Sequence, residues 1–183
     1  MGRTYAEITP ELTTWIESQP LFLVATAPLA PDGSINCSPK GLDTLRILNP
    51  QALIYLDLTG SGIETIAHLQ ENGRIVVMFC AFVGSPKIVR IHGRGRVYFP
   101  DSPEFAAWVG LFPDLPGKRS VIHIQADRIS DSCGYGVPLM EFKNDRSNLQ
   151  AWAEKKGEEG LVIYRQQKNR QSIDGMPGLP PIG

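Results

Sequence analysis

The sequence has 183 residues, of which 42% are hydrophobic and 20% are charged, a composition typical of a globular protein. The length suits one domain with a sizeable core. Its 18 basic and 19 acidic residues leave a formal net charge of −1, so neither nucleic acid nor an anionic membrane is expected as the main partner. No apolar run reaches the roughly 18 residues of a membrane-spanning helix. Because the first residues also lack a signal-peptide core, we expect a cytoplasmic protein.

The three cysteines and three histidines are scattered along the chain. Cys37, Cys80 and Cys133 form no Cys-x-x-Cys pair, and their spacing is typical of neither a disulfide framework nor a zinc site. Cys37 and Cys80 occur in strand-like runs, so we expect both to be small buried hydrophobic residues. The sequence predicts no metal site.

Apolar periodicity and chain-breaking residues predict the secondary structure. Thr9 and Pro10 are typical of an N-cap and a first helical residue, Ser102-Pro103-Glu104 is expected to cap a further helix, and Gly73 is expected to end a helix. In chain order the predicted elements are a helix over 9–19, strands over 21–27 and 35–38 joined by a turn at 31–34, a strand over 52–57, a helix over 63–71, strands over 74–82 and 87–98, a helix over 102–109, a strand over 120–126 and a helix over 148–157.

This order contains many strands and little strand–helix–strand alternation, which favours a mainly antiparallel sheet or small barrel with peripheral helices. Two glycines among the cations of residues 87–98 permit a bulge or a close backbone approach. After residue 130 no further strand is predicted. An irregular loop is predicted over 132–138, and the tail over 165–183 is predicted to be either disordered or laid along a partner surface.

Two segments have the chemistry that a phosphate monoester requires. They are Ser38-Pro39-Lys40-Gly41 and Thr59-Gly60-Ser61-Gly62-Ile63-Glu64-Thr65. Each follows a strand-like run, and we expect the chain to turn at both. Phosphate oxygens accept hydrogen bonds from backbone N–H groups, hydroxyls and lysine. Either segment alone is equally compatible with an ordinary turn. A binding site is favoured because both segments follow strand-like runs and both carry these donor groups.

The ordered combination of these features resembles the pyridoxamine 5'-phosphate oxidase-related family. It consists of a hairpin, Ser-Pro-Lys-Gly, Tyr-Leu-Asp-x-Thr-Gly-Ser-Gly, a helix, Asn-Gly-Arg, an apolar strand and Val-Arg-Ile-His-Gly-Arg-Gly, and it covers about residues 15–130. The resemblance implies a mainly β fold with peripheral helices, namely a six-stranded antiparallel split β-barrel. It also implies a homodimer with FMN at the subunit interface. Residues 1–130 would form the FMN-binding domain, and 131–183 an extension packing on it or on the dimer partner.

The family's oxidase motifs are matched only in part. Lys40 alone matches their Arg-x-Val-Leu-Leu-Lys motif, and their phosphate-binding Ser-Arg-Lys falls on Ile63-Glu64-Thr65, where both cations are absent. Their Arg-Gln pair falls on Lys87-Ile88, and their C-terminal Arg-Leu-His type of motif has no counterpart. These departures argue against pyridoxamine-phosphate oxidation itself.

The resemblance nevertheless implies a set of cofactor-binding residues. Lys40 would contact the flavin phosphate, Gly60 and Gly62 would open the backbone around it, and Arg90 would stabilise negative charge near the flavin pyrimidine edge. The predicted cofactor-binding residues are Ser38, Lys40, Thr59, Gly60, Ser61, Thr65, Lys87 and Arg90. Lys87 and Arg90 are equally compatible with solvent-facing cations.

The leading hypothesis is an FMN-dependent oxidoreductase acting on an unidentified small molecule. The alternatives are a non-catalytic flavin-binding protein for storage or sensing, and the same fold with deazaflavin or haem. His92 is either structural or a proton donor or haem ligand, and Cys133 is a candidate reactive thiol. The three tryptophans are expected in the core or dimer contact, although one could stack on a flavin ring.

Overall fold

The chain forms eight strands and four helices within residues 2–181, the part that this computed structural model describes. The strands are β1 (Thr4–Tyr5), β2 (Phe22–Thr26), β3 (Asn36–Lys40), β4 (Leu45–Asn49), β5 (Ala52–Leu58), β6 (Arg74–Cys80), β7 (Ile88–Tyr98) and β8 (Lys118–Ser132). The helices are α1 (Pro10–Glu17), α2 (Glu64–Asn72), α3 (Pro103–Trp108) and α4 (Asn148–Lys168). One sheet with order β3-β2-β6-β7-β8-β5-β4 contains the strands, and β1 pairs with β8.

The sheet curls into an antiparallel split β-barrel, which confirms the predicted fold class with eight strands in place of six. Strands β2 and β5 are not neighbours in the sheet, yet the rings of Phe22 and Tyr55 meet edge to face at 5.7 Å. The long strands β7 and β8 shift register after His92. A Cβ on Gly93 would collide with the carbonyl oxygen of Gln125, so glycine permits the close backbone approach predicted for this segment.

Apolar side chains fill the barrel and are capped by helices at its ends. Ile66 and Leu69 of α2 and Leu12 and Ile16 of α1 are buried in the main core. A second cluster, which includes Ile54 and Phe105, packs beneath α3. Among the tryptophans, Trp15 packs against the main core, Trp108 packs against the second cluster, and Trp152 contacts Tyr164 on α4.

The helix boundaries confirm the predicted capping residues. Thr9 Oγ1 accepts the N–H of Leu12 at 3.2 Å, and Ser102 Oγ accepts the N–H of Phe105 at 3.2 Å. Gly73 ends α2 in the left-handed conformation at φ 70°, a region that favours glycine because an L-residue's Cβ is crowded there. These local signals fix where the helices begin and end.

Several predicted bounds were wrong because tertiary pairing extends the elements. Strand β4 was missed, since its four half-buried residues show no apolar alternation. Strand β8 runs from Lys118 to Ser132, because it pairs along the full length of β7. Helix α4 continues beyond Gly157, where the backbone leaves helical geometry at φ 63° and ψ 176° and then resumes it.

Burial of Cys37 was also predicted wrongly. Cys37 is exposed, whereas Cys80 is buried as expected. Strand β3 lies at the edge of the sheet, and its residues alternate between half-buried and exposed. Cys37 occupies an outward position of that alternation, so a strand-like context did not imply burial.

The segment after α4 packs against its own chain. Residues 169–179, called here the C-terminal hairpin, are joined by hydrogen bonds from Leu179 N–H to Asn169 O at 2.8 Å and from Gly178 N–H to Arg170 O at 2.9 Å. Asn169 is fully buried, and Leu179 packs against the main core. The end of the predicted tail, residues 182–183, lies outside the described residues.

None of the helices described in residues 2–181 combines the length and apolar character needed to cross a membrane.

Replacing Leu12 with alanine should destabilise the protein by about 2–5 kcal/mol, because the side chain is 2% exposed in the main core and its loss leaves a cavity. Urea unfolding followed by circular dichroism measures the change. Leu29→Ala is the matched control, since Leu29 is 62% exposed and should change stability by less than about 0.5 kcal/mol. Equal losses in both variants would contradict this assignment of the core.

Candidate functional site

The centre of the candidate site is a buried carboxylate held by two cations. Asp57 on β5 is 1% exposed, and its Oδ2 accepts the Nε–H of Arg119 at 2.7 Å. Its Oδ1 accepts from Lys40 Nζ at 3.2 Å. Arg119 is itself buried, whereas the Lys40 side chain is 22% exposed. Lys40 is therefore the residue of the cluster that is exposed to solvent.

Burial and the two cations act in opposite directions on Asp57. Burial alone raises the pKa of this carboxyl, but Arg119 and Lys40 together lower it below its usual value. Asp57 is therefore ionised at neutral pH. The three groups together carry a charge of +1, and the exposed part of that charge lies on Lys40.

The 59–63 loop is held against this cluster through its polar groups. Arg119 donates to the carbonyl of Gly62 at 2.9 Å, and Asn169 Nδ2 donates to the carbonyl of Gly60 at 3.0 Å. Arg165 on α4 donates from Nε to Thr59 Oγ1 at 2.8 Å. Side chains from β8, α4 and the C-terminal hairpin thus fix the loop that precedes α2.

The Thr59 N–H donates to the carbonyl of Gly117, but the N–H groups of the loop are available from Gly60 onward. Within residues 2–181, no hydrogen bond is made by the backbone N–H of any residue from Gly60 to Ile66. Ile63, the N-cap of α2, supplies no side-chain cap. Ser61 and Gly62 are exposed. Free N–H groups at a helix start favour an anion, because they carry partial positive charge.

The inner face of β3 adds side-chain donors next to the loop. Asn36, Ser38 and Lys40 alternate on that face and are half-buried. Asn36 Nδ2 donates to Thr65 Oγ1 at 2.9 Å, and Ser38 Oγ donates to Asn36 Oδ1 at 3.1 Å. The expectation that Ser38 and Lys40 lie in a turn was wrong, because β2 pairs with β3 as far as Lys40.

Two buried polar atoms close to this face make no hydrogen bond within residues 2–181. One is Tyr55 Oη, whose ring lies 5.7 Å from Lys40 Nζ, and the other is His68 Nε2. Burial raises the pKa of Tyr55 well above its usual value, and the Asp57 carboxylate adds to that effect. Burial lowers the pKa of His68, so this imidazole is neutral at pH 7. Its Nδ1 lies 2.9 Å from Thr26 Oγ1.

The structure brings six of the eight predicted site residues together and places two elsewhere. Ser38, Lys40, Thr59, Gly60, Ser61 and Thr65 lie around the Asp57 cluster. Arg90 is on the opposite face of the sheet from Lys40 and donates to Ser132 Oγ at 2.9 Å. Lys87 lies over the ring of Trp15, with 4.8 Å from Nζ to the ring centroid. His92 and Cys133 are exposed.

Sequence reasoning missed four residues that organise the site, namely Asp57 and the three that hold it and the loop. Arg119, Arg165 and Asn169 hold Asp57 and the 59–63 loop. Arg119 follows another cation at the start of a strand, so nothing local separates it from a surface arginine. Arg165 and Asn169 lie more than 100 residues after the loop that they contact, and no spacing pattern links such distant positions.

No cluster of three or more His, Cys, Asp or Glu side chains suited to a metal ion occurs within the described range, 2–181. The chemistry offered by the site is instead that of an anion cradle. Lys40 supplies a charge-assisted donor, Ser38 and Thr65 supply hydroxyls, and the 59–63 loop supplies N–H groups. These groups could hold a phosphate monoester.

Comparison with known proteins agrees with the fold and identifies the family. The sequence model of the family described as Pyridoxamine 5'-phosphate oxidase matches residues 8–133. The chain is 39% identical over 194 residues to the pyridoxamine 5'-phosphate oxidase family protein ustO of Aspergillus flavus, and the match covers 96% of this chain and 77% of that protein. The protein therefore belongs to the pyridoxamine 5'-phosphate oxidase family.

Solved structures share the same fold. The crystal structure of HupZ from Group A Streptococcus is similar to this chain with a TM-score of 0.54 and 24% identity, covering 67% of this chain and 91% of HupZ. A HupZ variant gives a TM-score of 0.54 and 25% identity, covering 68% of this chain and 99% of that one. The similarity covers about two thirds of this chain and leaves about a third unmatched.

Replacing Asp57 with asparagine should destabilise the protein by about 3–5 kcal/mol, because it leaves the buried Arg119 guanidinium without its charge partner. Asp43→Asn is the matched control. Asp43 pairs with Arg46 at the surface, and such pairs contribute about 1 kcal/mol or less. Urea unfolding at neutral pH measures both variants, and similar losses would contradict the role given to Asp57.

The same pair predicts a difference in pH dependence. The pKa of Asp57 is lower in the folded protein than in the unfolded chain, so the stabilisation is complete above the unfolded value of about 3.9. It is lost as the pH falls through the lower folded value. The difference in stability between wild type and Asp57→Asn should therefore shrink below about pH 4.

Proposed function

We propose that this protein binds FMN and acts as a flavin-dependent oxidoreductase on a small molecule. The observation that carries the proposal is the partly exposed Lys40, joined to the buried Asp57–Arg119 pair beside a loop with free N–H groups. Membership of the pyridoxamine 5'-phosphate oxidase family supports the same ligand. The cradle fits a phosphate because its exposed groups are donors and its central cluster is positive.

In this proposal each group of the cradle has a distinct task. Lys40 contributes the charge-assisted hydrogen bond, which is the strongest single contact available to the phosphate. Thr65 donates its hydroxyl, and Ser38 turns its hydroxyl from Asn36 Oδ1 to the phosphate. Thr59, Gly60 and Ser61 supply the loop that Arg119 and Asn169 hold in place. The bound flavin would supply the redox chemistry, while these residues bind and orient it.

A second copy of the chain would complete the site. A cavity lined by Gly41, Phe22 and Phe79 adjoins β3 without reaching the cradle residues, and its volume of 260 Å³ is below the roughly 300–1,000 Å³ of ligand pockets. Arg90 lies on the face of the sheet opposite Lys40, and Lys87, which precedes β7, lies over the ring of Trp15. We therefore assign them to the partner's flavin in a homodimer.

Incubation with FMN followed by desalting should leave a protein-bound flavin spectrum, and Lys40→Ala should weaken FMN binding by about 1.5–3 kcal/mol, the scale of a charged hydrogen bond. Fluorescence titration measures both affinities. Riboflavin, which lacks the phosphate, should bind wild type and Lys40→Ala with similar affinity.

Lys155→Ala is the control, since Lys155 is exposed on α4 away from the cradle. Wild-type protein that retains no flavin would overturn the proposed function. Equal FMN affinities for wild type and Lys40→Ala would remove Lys40 from the site while leaving the function in place.

Mixing two defective variants tests the shared site. If Lys40 of one subunit and Arg90 of the other contact one flavin, Lys40→Ala and Arg90→Ala homodimers are defective at both sites. Subunit exchange between them should restore about a quarter of all sites, since each mixed dimer has one intact site. The measurement is tight-binding FMN stoichiometry after co-refolding. No recovery would place Arg90 outside the shared site.

A further inference from the structure

The start of α2 carries an acidic residue at the point where free N–H groups favour an anion. Glu64 is half-buried and is the first residue of the helix. A Cβ on Gly62 would lie 2.6 Å from Glu64 Oε2, so the carboxylate is folded back against the loop backbone. Glycine at position 62 leaves the room that this carboxylate occupies.

The C-terminal hairpin holds Glu64 in that position. The N–H of Ile173 donates to Glu64 Oε1 at 3.3 Å. The hairpin is anchored on both sides of this contact. Asn169 donates to the loop carbonyls, and Asp174 accepts the N–H of Ser34 at 2.7 Å and its hydroxyl at 2.8 Å. The carboxylate is thus oriented by a segment that is itself fixed to the loop and to the β2–β3 turn.

The charged side chains around the loop determine how Glu64 affects an approaching phosphate. Lys40, Arg119 and Arg165 are positive and Asp57 is negative, so these four groups together carry +2. Adding Glu64 lowers the sum to +1. An approaching phosphate carries up to two negative charges, so it meets Lys40 as an attractive group and Glu64, at the start of α2, as a like charge.

We propose that Glu64 is an internal counter-anion that competes with the cofactor phosphate for the start of α2 and so sets the affinity of the site for phosphorylated ligands. This inference rests on the proposed function for the identity of the ligand. Glu64 acts as a specificity-determining residue. By lowering phosphate affinity selectively, it reduces the preference of the site for FMN over riboflavin.

The test is Glu64→Gln, which removes the charge and keeps an oxygen to accept the N–H of Ile173. We expect FMN to bind about three- to tenfold more tightly than to wild type, since a like charge is removed from beside the phosphate. Riboflavin affinity should stay unchanged. Fluorescence titration measures both ligands, and urea unfolding verifies that the variant is folded.

Glu71→Gln is the matched control. Glu71 lies near the other end of α2, and its Oε2 accepts the N–H of Leu29 at 2.8 Å. It therefore tests loss of one charge from the same helix with a similar backbone contact. Its FMN affinity should equal that of wild type. An equal gain in both variants would show a general charge effect and overturn the inference, as would an unchanged FMN affinity in Glu64→Gln.

Inorganic phosphate, titrated by its effect on thermal unfolding, separates this inference from the proposed function. If wild type binds no flavin but Glu64→Gln gains phosphate affinity over wild type, the flavin function is overturned and the role of Glu64 stands. If wild type binds FMN and Glu64→Gln gains affinity for neither FMN nor phosphate, the function stands and the inference is overturned. If neither protein binds flavin or phosphate, both are overturned.

Discussion

The ionised carboxylate of Asp57 joins parts of the barrel that share no backbone hydrogen bonds. Strand β3 lies at one edge of the sheet, and β5 lies next to the other edge. Lys40 and Asp57 bridge these strands, and Arg119 ties the pair to β8. A buried ion pair contributes little net stability compared with apolar packing, but loss of one partner is costly because the other charge stays buried. The cluster therefore ties the edge strand β3 to β5 and β8 across the barrel.

The same cluster determines what the site can offer a ligand. Arg119 uses its donors on Asp57, Gly62 and Asn169, so it positions groups and has little left for a ligand. Lys40 is the cation that meets solvent. Glu64 and the free N–H groups of the 59–63 loop then have opposite effects on an anion. Affinity for a phosphate depends on the balance among these groups, which makes the site sensitive to a single change of charge.

Local sequence signals predicted much of the fold. The caps at Thr9 and Ser102 and the stop at Gly73 depend on neighbouring residues alone, so they could be recognised from the chain. Strand β4 and the full length of β8 could not, because pairing with distant strands creates them. Cys37 was assigned to the core because a strand pattern does not show which strand lies at an edge.

The sequence by itself determined the family, the split-barrel fold and the two polar segments, since each depends on local patterns or on an ordered set of motifs. Tertiary structure determined which charged side chains come into contact. It joined Lys40 to Asp57 and Arg119 and brought Arg165 and Asn169 to the 59–63 loop. It also put Arg90 on the other face of the sheet from Lys40. Electrostatic energy depends on distance and burial, and both are set only when strands remote in sequence pack together.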